Sequence, residues 1–255
     1  MPNKINNSFT ESLNHRKKNQ IEIVNKKRQK RVYNFAKRCF DIVFSGVALL
    51  LVSPTILITG IMVKLTSKGS VFYRAKRAGL NGRQFNMLKL RTMFVDTDSI
   101  DRRITDANDN RITPVGKFLR TFKIDELPQF LNVLKGDMSI VGPRPEDWDI
   151  VQQYYTPEQK RTLSVRPGIT SLATVSWYPD LTHHDPPPSG IPTQEWYLIR
   201  HLPIQLAEAI NYVEKQNIIL DLKIIGLTFF YIMFYSWLPP KRKSLHSTTS
   251  LKSGQ

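Results

Sequence analysis

The hydrophobicity pattern is dominated by one apolar run without a charged residue, from Ile42 to Val63. As an α-helix this run would be about 33 Å long, enough to cross a hydrocarbon core of about 30 Å. It begins too late in the chain and is too long for a secretory signal peptide, and no small-residue cleavage site follows it. A buried helix of a soluble protein is the alternative, but the length without a charge favours a helix that enters a lipid bilayer.

Two features of this run favour a re-entrant helix over a spanning one. Ser53-Pro54 lies at its centre, where proline removes a backbone donor and predicts a break, while the serine hydroxyl can serve the freed carbonyls. Lys37-Arg38 precede the run, and Lys64 and Lys68 follow it, so the positive-inside rule is satisfied only if both ends are cytoplasmic. A helix that enters and leaves by the same face meets both conditions, and a kinked spanning helix remains the alternative.

Beyond Lys64 the pattern changes to short elements of a soluble body. Two β-type runs, 71–76 and 84–90, are separated by Leu80-Asn81-Gly82, which is a strong hairpin signal. The polar residues 96–112 are predicted to form a loop. Thr113-Pro114 is a helix start and predicts a short helix that ends at Phe122.

A second helix is predicted to begin near Asp125 and to end at Gly136. It carries one apolar stripe at positions i, i+3, i+4 and i+7, formed by Leu127, Phe130, Leu131 and Leu134. The apolar segment 218–238 also contains Asp221 and Lys223, so it is predicted to be an interfacial or core helix with its aromatic residues at headgroup level. A second membrane crossing there is the less favoured alternative.

These elements predict a mostly helical α/β (α+β) protein with an N-terminal re-entrant helix-break-helix, a short β-hairpin and amphipathic interfacial helices. The predicted parts are a basic disordered arm over 1–35, the membrane helix over 36–66, a cytosolic membrane-associated domain over 67–239 and a basic disordered tail over 240–255.

The charge balance of 37 basic against 21 acidic residues, a net charge of +16, indicates a polyanionic partner. Because the basic arm lies next to the apolar run, anionic lipid is favoured over nucleic acid. Cys39 is the single cysteine, which excludes an intramolecular disulfide and a cysteine-based metal cluster.

Asp125-Glu126 allows two interpretations. Asp is a preferred N-cap and Glu in a first turn complements the helix dipole, so a structural role accounts for the pair. The same helix start suits an anion, an ionised carboxylate can attack phosphorus, and its neighbour can bind Mg²⁺. Four cationic side chains near turns and strand ends are suited to neutralising a diphosphate, although each alone is better explained as a solvated surface charge, and only their grouping around the acidic pair would indicate a site: Lys89, Arg91, Arg144 and Arg166. His183-His184-Asp185 precedes three prolines and is more typical of a loop than of a metal site.

The chain resembles the bacterial sugar transferases, the small monotopic phosphoglycosyl transferases, over about residues 35–230. The motifs that carry the resemblance occur in family order: Lys37-Arg38 with Asp41, Ser53-Pro54, Lys89-Leu90-Arg91-Thr92-Met93, Asp125-Glu126-Leu127-Pro128-Gln129, the run from Leu131 to Ser139, Val141-Gly142-Pro143-Arg144-Pro145, and Val165-Arg166-Pro167-Gly168-Ile169-Thr170. Each motif alone is weak, but the ordered set is specific.

The resemblance implies that Asp125 attacks the β-phosphate of a UDP-sugar and expels UMP, while Glu126 binds Mg²⁺. Polyprenyl phosphate would then take the phosphosugar from Asp125. The implied substrate-binding residues are Lys89, Arg91, Pro143, Arg144, Pro145 and Arg166, and the implied membrane-entry and helix-break residues are Lys37, Arg38, Asp41, Ser53 and Pro54. The implied location is the cytoplasmic face of the bacterial inner membrane, with anionic lipids as partners, no nucleic acid, and a homodimer as one oligomeric state.

The sequence departs from the family pattern mainly after the catalytic motif, at Gly69-Ser70, Ala75, Ser171, Thr174, Trp177 and the insert from His183 to Pro188. These departures leave the sugar undetermined. Two other functional classes stay open at this point: a membrane-anchored cationic binding module, and a degenerate homologue that scaffolds a polysaccharide assembly complex.

Overall fold

The computed structural model describes the backbone of residues 3–94, 110–181, 188 and 190–235, and all of these side chains except those of 3–27 and 177–181. Most of the predicted loop 96–112, nearly all of the insert at His183, and the predicted tail 240–255 lie outside the described residues.

The first element is a single long helix, α1, from Asn3 to Thr66. It includes most of the arm that the sequence analysis expects to be disordered, because no proline stands between Asn3 and Ser53 and the arm is rich in good helix formers. Within the described residues, one helical stretch, Arg28–Thr66, is long and apolar enough to cross a membrane. Its apolar side chains are mainly exposed, and Leu50 reaches 77%. An exposed apolar surface of this size needs a cover such as lipid.

The break expected at Ser53-Pro54 is not a break in helical structure, and that part of the prediction is corrected. Pro54 lies inside α1, and the Ser53 hydroxyl donates to the carbonyl of Leu50 at 3.0 Å. Hydroxyl bonds of this kind satisfy carbonyls in the turn before a proline, so helical structure can continue through it. The re-entrant topology itself stays a prediction at this point.

The predicted hairpin is confirmed. Strand β1 (Phe72–Ala78) pairs with β2 (Gln84–Leu90) in antiparallel register, with Ala75 opposite Met87. The connection Leu80–Gly82 is a 3₁₀ turn in which Asn81 and Gly82 adopt positive φ of 55° and 72°. Asn and Gly tolerate this conformation, which explains why the Asn-Gly pair identified the turn.

The other elements follow in chain order, and short turns connect them. They are α2 (Pro114–Thr121), α3 (Gln129–Lys135), β3 (Ser139–Val141), α4 (Trp148–Tyr154), β4 (Gly168–Thr170), α5 (Leu172–Leu181), α6 (Thr193–Trp196), α7 (Leu202–Lys215) and α8 (Ile218–Tyr235). The start of α2 is as predicted, since the Thr113 hydroxyl accepts a hydrogen bond from the Gly116 amide at 2.8 Å.

Helix α3 differs from its prediction in its start, and the face that it buries is not simply its apolar stripe. The helix begins at Gln129 because Pro128 precedes it, and Asp125 lies in a separate 3₁₀ turn. Its buried side chains are Gln129, Asn132 and Val133, whereas Leu131 and Leu134 on the predicted apolar stripe are more than one-third exposed. Leu127 and Phe130, the other stripe residues, are partly buried, and the Phe130 ring lies 6.4 Å from the ring of Phe44 in α1.

The main core lies between the hairpin, α3, the β3–β4 pair, α7 and α8, with Val133, Met138, Tyr212 and Ile224 as fully buried members. Strands β3 and β4 are parallel neighbours, a pairing that the sequence analysis does not predict. A side chain at Gly142 would collide with the backbone of Arg166 and Gly168, so glycine is required where the two strands approach.

Gly142→Ala is therefore expected to lower thermal stability strongly, by about 2 kcal/mol or more, since backbone must move to admit one methyl group. Gly226→Ala is the matched control, because nothing lies within 4 Å of a methyl group at that helical position. The control is expected to be neutral or slightly stabilising. Thermal melts of both variants in detergent test this, and equal melting temperatures would contradict the close approach.

Candidate active site

Asp125 and Glu126 lie in a 3₁₀ turn, Ile124–Glu126, between α2 and α3. The turn is entered through Lys123, whose left-handed backbone (φ 56°) is uncommon for a residue other than glycine. The Asp125 side chain is buried, with the residue 6% exposed, and its Oδ1 has no hydrogen-bond partner. A capping Asp would accept a backbone N–H, so the structural interpretation of this residue loses its main support.

The two adjacent carboxyls differ in their electrostatic environment. Burial, and secondarily the negative charge of Glu126, raise the pKa of Asp125 to about 6, against the opposing effect of Lys89, Lys123 and Arg120. For Glu126 burial acts in the same direction but is outweighed by Lys89, Lys123 and Arg144, so its pKa falls well below the usual range. Both carboxylates are therefore mainly ionised at neutral pH, and Asp125 is the more basic of the two.

The cationic partners come from separate elements. Lys89 of β2 donates to Glu126 Oε1 at 2.9 Å, and both side chains are 23% exposed. Arg144 follows β3 in an exposed position from which its charge acts on Glu126. Of the residues predicted from sequence, the structure thus brings together Asp125, Glu126, Lys89 and Arg144.

Two further cations at this site, Arg120 and Lys123, were missed in the sequence analysis. Arg120 lies in the last turn of α2, and its Nε donates to the Thr92 hydroxyl at 2.8 Å. Lys123 was within two residues of the acidic pair, which was the only signal in the sequence. Their contribution depends on the turn that connects α2 to α3.

The turn that carries Arg144 is held by buried groups. Pro143 is buried, and its carbonyl accepts from the Gly168 amide at 2.9 Å, while Pro145 is partly buried. Glu146, which follows, is buried and accepts hydrogen bonds from Tyr197 and Gln205. The prolines and Glu146 therefore fix the backbone on either side of an exposed guanidinium.

Other predicted site residues make structural contacts instead. Arg166 Nε donates to the Gly136 carbonyl at 2.9 Å, and Arg38 donates to the carbonyls of Val133 and Leu134. Both arginines thus bind the C-terminal end of α3, where cations complement the helix dipole. Arg91 donates to Ser67 and is not directed at Glu126.

The predicted membrane-entry residues attach α1 to the body. Asp41 accepts from the Ser139 hydroxyl and the Ile140 amide of β3, at 3.1 and 3.0 Å. Lys37 pairs with the buried Asp221 of α8 at 2.7 Å. These contacts fix the N-terminal part of the apolar helix against β3 and α8.

Asp125→Asn is expected to raise thermal stability at pH 8 and to leave it unchanged at pH 4. The folded-state pKa of about 6 lies above the ordinary value, so the ionised carboxylate destabilises the fold as pH rises from about 4 to above 6. Removing the charge should recover up to about 3 kcal/mol at pH 8. Thermal melts at both pH values test this. A capping role predicts instead a loss of about 1 kcal/mol in Asp125→Ala at pH 8.

The donor set at this site fits a hard divalent cation that is shared with a phosphate ligand. No group of three or more His, Cys, Asp or Glu side chains that could hold a metal ion occurs among the described residues. Mg²⁺ is commonly held by one or two carboxylates, with substrate phosphates and water completing its coordination. Glu126 is ionised and partly exposed, which suits that role, and the unpartnered Oδ1 of Asp125 lies one residue away.

Comparison with known proteins identifies the family of this chain. The family model for bacterial sugar transferases matches residues 32–235. A UDP-glucose:undecaprenyl-phosphate glucose-1-phosphate transferase of Klebsiella pneumoniae is 39% identical over 198 residues, which cover 76% of this chain and 39% of the relative. A UDP-N-acetylgalactosamine-undecaprenyl-phosphate N-acetylgalactosaminephosphotransferase of Aeromonas hydrophila is 42% identical over 146 residues, covering 56% and 34%.

An uncharacterized sugar transferase of Bacillus subtilis, EpsL, is 37% identical over 192 residues, covering 75% of this chain and 84% of that protein. The chain thus spans less than half the length of the two relatives whose names give a substrate, and most of the third. The match over 32–235 includes the acidic pair, the hairpin and the Pro-Arg-Pro turn. The chain belongs to the bacterial sugar transferase family.

Proposed function

We propose that this chain transfers a sugar phosphate from a UDP-sugar to polyprenyl phosphate, with release of UMP and with Asp125 as the nucleophile. The observation that carries the proposal is the state of Asp125: a buried carboxylate whose Oδ1 has no hydrogen-bond partner, beside an ionised Glu126. A carboxylate oxygen without a hydrogen-bond partner keeps its lone pairs free for attack on a phosphorus that reaches it, and its raised pKa makes it more basic than an ordinary aspartate.

In the first step, the Asp125 oxygen attacks the phosphorus that carries the sugar, and the bond to the UMP oxygen breaks. Arg144 and Lys123 are exposed cations whose charges act on this site, and they would neutralise the diphosphate as charge moves to UMP. In the second step, polyprenyl phosphate attacks the same phosphorus and frees the Asp125 carboxylate. The route conserves the phosphoanhydride bond type, so it needs no other energy source.

Glu126 would hold Mg²⁺, with Lys89 orienting the carboxylate through its 2.9 Å hydrogen bond. When bound, the ion would supply neutralisation of the diphosphate charge. Lys89 would have a second role, because its charge lowers the pKa of Glu126. The carboxylate would therefore stay ionised, and able to bind a metal ion, at acidic as well as neutral pH.

The contacts of α1 support a re-entrant topology. Before the apolar run, Asp41 is hydrogen-bonded to β3, and after it Val63 is buried with Leu90 of β2 and Leu119 of α2. A straight helix would separate residues 41 and 63 by about 33 Å, so a spanning helix would place these two anchors on opposite sides of the membrane. Both anchors belong to one folded body, which favours entry and exit by the same face.

The apolar surface near the catalytic pair supports membrane association of the body as well. Exposed side chains of α2 and α3, among them Phe118, Leu131 and Leu134, lie on the elements that flank the Asp125 turn. Together with α1 they would place the turn at the depth of a lipid phosphate. With basic residues on both flanks of the apolar run, we place the body at the cytoplasmic face of the bacterial inner membrane.

The proposal is tested by incubating purified protein in detergent with Mg²⁺, polyprenyl phosphate and a panel of UDP-sugars. The panel includes UDP-glucose and UDP-N-acetylgalactosamine, the donors named for two relatives. We expect UMP release that depends on one or a few of these donors, with label from the sugar recovered in the lipid. UDP release in place of UMP, or no nucleotide release with any donor, would contradict the proposed transfer.

A further inference from the structure

Arg91 is a buried cation whose guanidinium forms only part of the hydrogen bonds that it could donate. The residue is 8% exposed, and its Nη2 donates to the carbonyl and hydroxyl oxygens of Ser67 at 2.8 and 3.0 Å. The Nε and Nη1 atoms are buried and have no hydrogen-bond partner, and no carboxylate among the described residues forms an ion pair with this side chain. An arginine cannot give up its proton, so a buried and unpaired guanidinium is costly unless an anion joins it.

The surroundings of Ser67 indicate what kind of anion this is. Ser67 follows the end of α1 and lines an open concavity together with Lys64, Leu65, Lys68 and Phe94. Both lysines are exposed, and none of the described residues that line the concavity is acidic. Leu65 and Phe94 add exposed apolar surface, at 81% and 48%. Cations beside apolar side chains, at the point where a membrane helix ends, suit a lipid whose headgroup is an anion.

The Arg91 site is close to the catalytic turn but is distinct from the site of Glu126. Leu90, the preceding residue, is buried in the same cluster as Ile124, which precedes Asp125. Thr92, the following residue, accepts a hydrogen bond from Arg120, whose charge acts on Asp125. Lys89 of the same strand, by contrast, is bonded to Glu126. The end of β2 therefore directs Lys89 to the acidic pair, and Arg91, the residue after the strand, to the C-terminal end of α1.

We infer that Arg91, with Lys64 and Lys68, forms the binding site for the phosphate of the polyprenyl acceptor. This inference rests on the proposed function and assigns the two substrates to different cations. A phosphate monoester carries two charges and three terminal oxygens, whereas the phosphodiester of a bulk phospholipid carries one charge and two free oxygens. The three N–H groups on Nε and Nη1 match the monoester better.

Arg91 does not itself line the concavity, and its Nε and Nη1 are buried, so binding there would require the Ser67–Gly69 turn, whose Ser67 oxygens accept from Arg91 Nη2, to move. Besides the two bonds from Arg91, that turn is held by the Ser67 amide and hydroxyl, which donate to the Val63 carbonyl, and by the Lys64 ammonium, which donates to the Gly69 carbonyl at 3.2 Å. In the transfer, an acceptor phosphate oxygen forms the new bond to the sugar-bearing phosphorus. The bond from that phosphorus to Asp125 breaks, its electron pair returns to the carboxylate, and a dianionic acceptor needs no base.

The two half-reactions distinguish this inference from the proposed function. Full-length protein is first mixed with Mg²⁺ and the UDP-sugar it uses, and the UMP burst is measured. Polyprenyl phosphate is then added, and transfer to lipid is followed over a range of its concentrations. For Lys64→Gln/Lys68→Gln and for Arg91→Gln, the loss in acceptor kcat/KM should exceed the loss in the UMP burst by about tenfold or more.

Lys160→Gln/Lys215→Gln is the control, because both lysines are exposed and neither lines the concavity at the end of α1, and it should change neither step. Equal losses in both steps would assign Arg91 to donor binding or to folding and would overturn the inference. Absence of a UMP burst in the unmodified protein is a different result, because it contradicts the proposed function itself. The two surface lysines keep the test decisive even if Arg91→Gln does not fold.

Equilibrium binding separates the sources of phosphate. The Asp125→Asn protein, with and without Arg91→Gln, is titrated with neutral vesicles that contain polyprenyl phosphate, polyprenol or anionic phospholipid, and with inorganic phosphate. Only the polyprenyl phosphate vesicles should bind at least tenfold more weakly when Arg91 is replaced. The same dependence with anionic phospholipid would indicate a site for bulk lipid, and no dependence on Arg91 would make it a structural residue. Both results would overturn the inference.

Discussion

Replacing Asp125 with asparagine is expected to abolish UMP release, lowering the rate by about 10³-fold or more. The amide has the shape of the carboxylate but cannot form the bond to phosphorus, and the site has no other carboxylate with an unbonded, buried oxygen among the described residues. The rate is measured as UMP release under saturating donor and acceptor. Because the same variant is expected to be more stable at pH 8, a loss of activity cannot be explained by unfolding.

Asp137→Asn serves as the matched control. Asp137 is partly buried in the α3–β3 connection and accepts a hydrogen bond from Asn132 at 3.2 Å, but it does not lie in the catalytic turn. Its replacement should reduce UMP release by no more than a few-fold. Comparable losses in the two variants would indicate a general sensitivity of this region and would remove the special role of Asp125.

Glu126→Gln is expected to lower the rate by about 10²-fold and to shift the Mg²⁺ requirement to concentrations about tenfold higher. The substitution removes the ionised oxygen ligand and leaves the Lys89 ammonium, at 2.9 Å, without its anionic partner. That unpaired cation would further repel a divalent ion. The measurement is the initial rate of UMP release as a function of Mg²⁺ concentration.

Lys89→Met separates the two effects in this prediction. It removes the cation beside Glu126 but keeps the carboxylate, so the Mg²⁺ requirement should change less than in Glu126→Gln. An unchanged Mg²⁺ titration in Glu126→Gln would show that this carboxylate does not hold the ion, even if the rate falls.

The parts of the fold that were predictable from sequence are those fixed by local chemistry. Asn81-Gly82 identified the hairpin because those residues tolerate positive φ, and Thr113-Pro114 identified the start of α2. Gly136 ends α3 in a left-handed conformation, as expected. In each case the signal and the structure involve the same few neighbouring residues.

The errors have two causes, one local and one distant. Locally, Pro54 does not break α1, because the Ser53 hydroxyl satisfies a carbonyl of the preceding turn. The apolar stripe of α3 did not indicate which face is buried: Leu131 and Leu134 are more than one-third exposed, while Asn132 and Val133 are buried and Asn132 is hydrogen-bonded to the hairpin. An apolar stripe indicates that the helix face lies in an apolar environment. The sequence alone does not tell whether that environment is the protein core or lipid.

The sequence analysis identified the acidic pair of the candidate site, but only some of the cations that surround it. Lys89 and Arg144 reach Glu126, whereas Arg166 binds the end of α3 and Arg91 binds Ser67. The side chains of a strand and a turn cannot be assigned to one site without the register and the tertiary approach of β2 to the Asp125 turn. The burial of Asp125 favours the interpretation of this residue as a nucleophile over that of a helix cap. This burial is likewise a property of the folded chain.

The most direct test of the account is to trap the covalent intermediate. Protein, Mg²⁺ and the accepted UDP-sugar are mixed without polyprenyl phosphate, quenched in acid within seconds, and examined by mass spectrometry of the intact chain and its peptides. We predict a mass increase equal to one phosphosugar, located on Asp125, formed in step with an equimolar UMP burst and lost when polyprenyl phosphate is added before the quench. Active protein that shows no adduct and no UMP burst without the acceptor would contradict a nucleophilic Asp125.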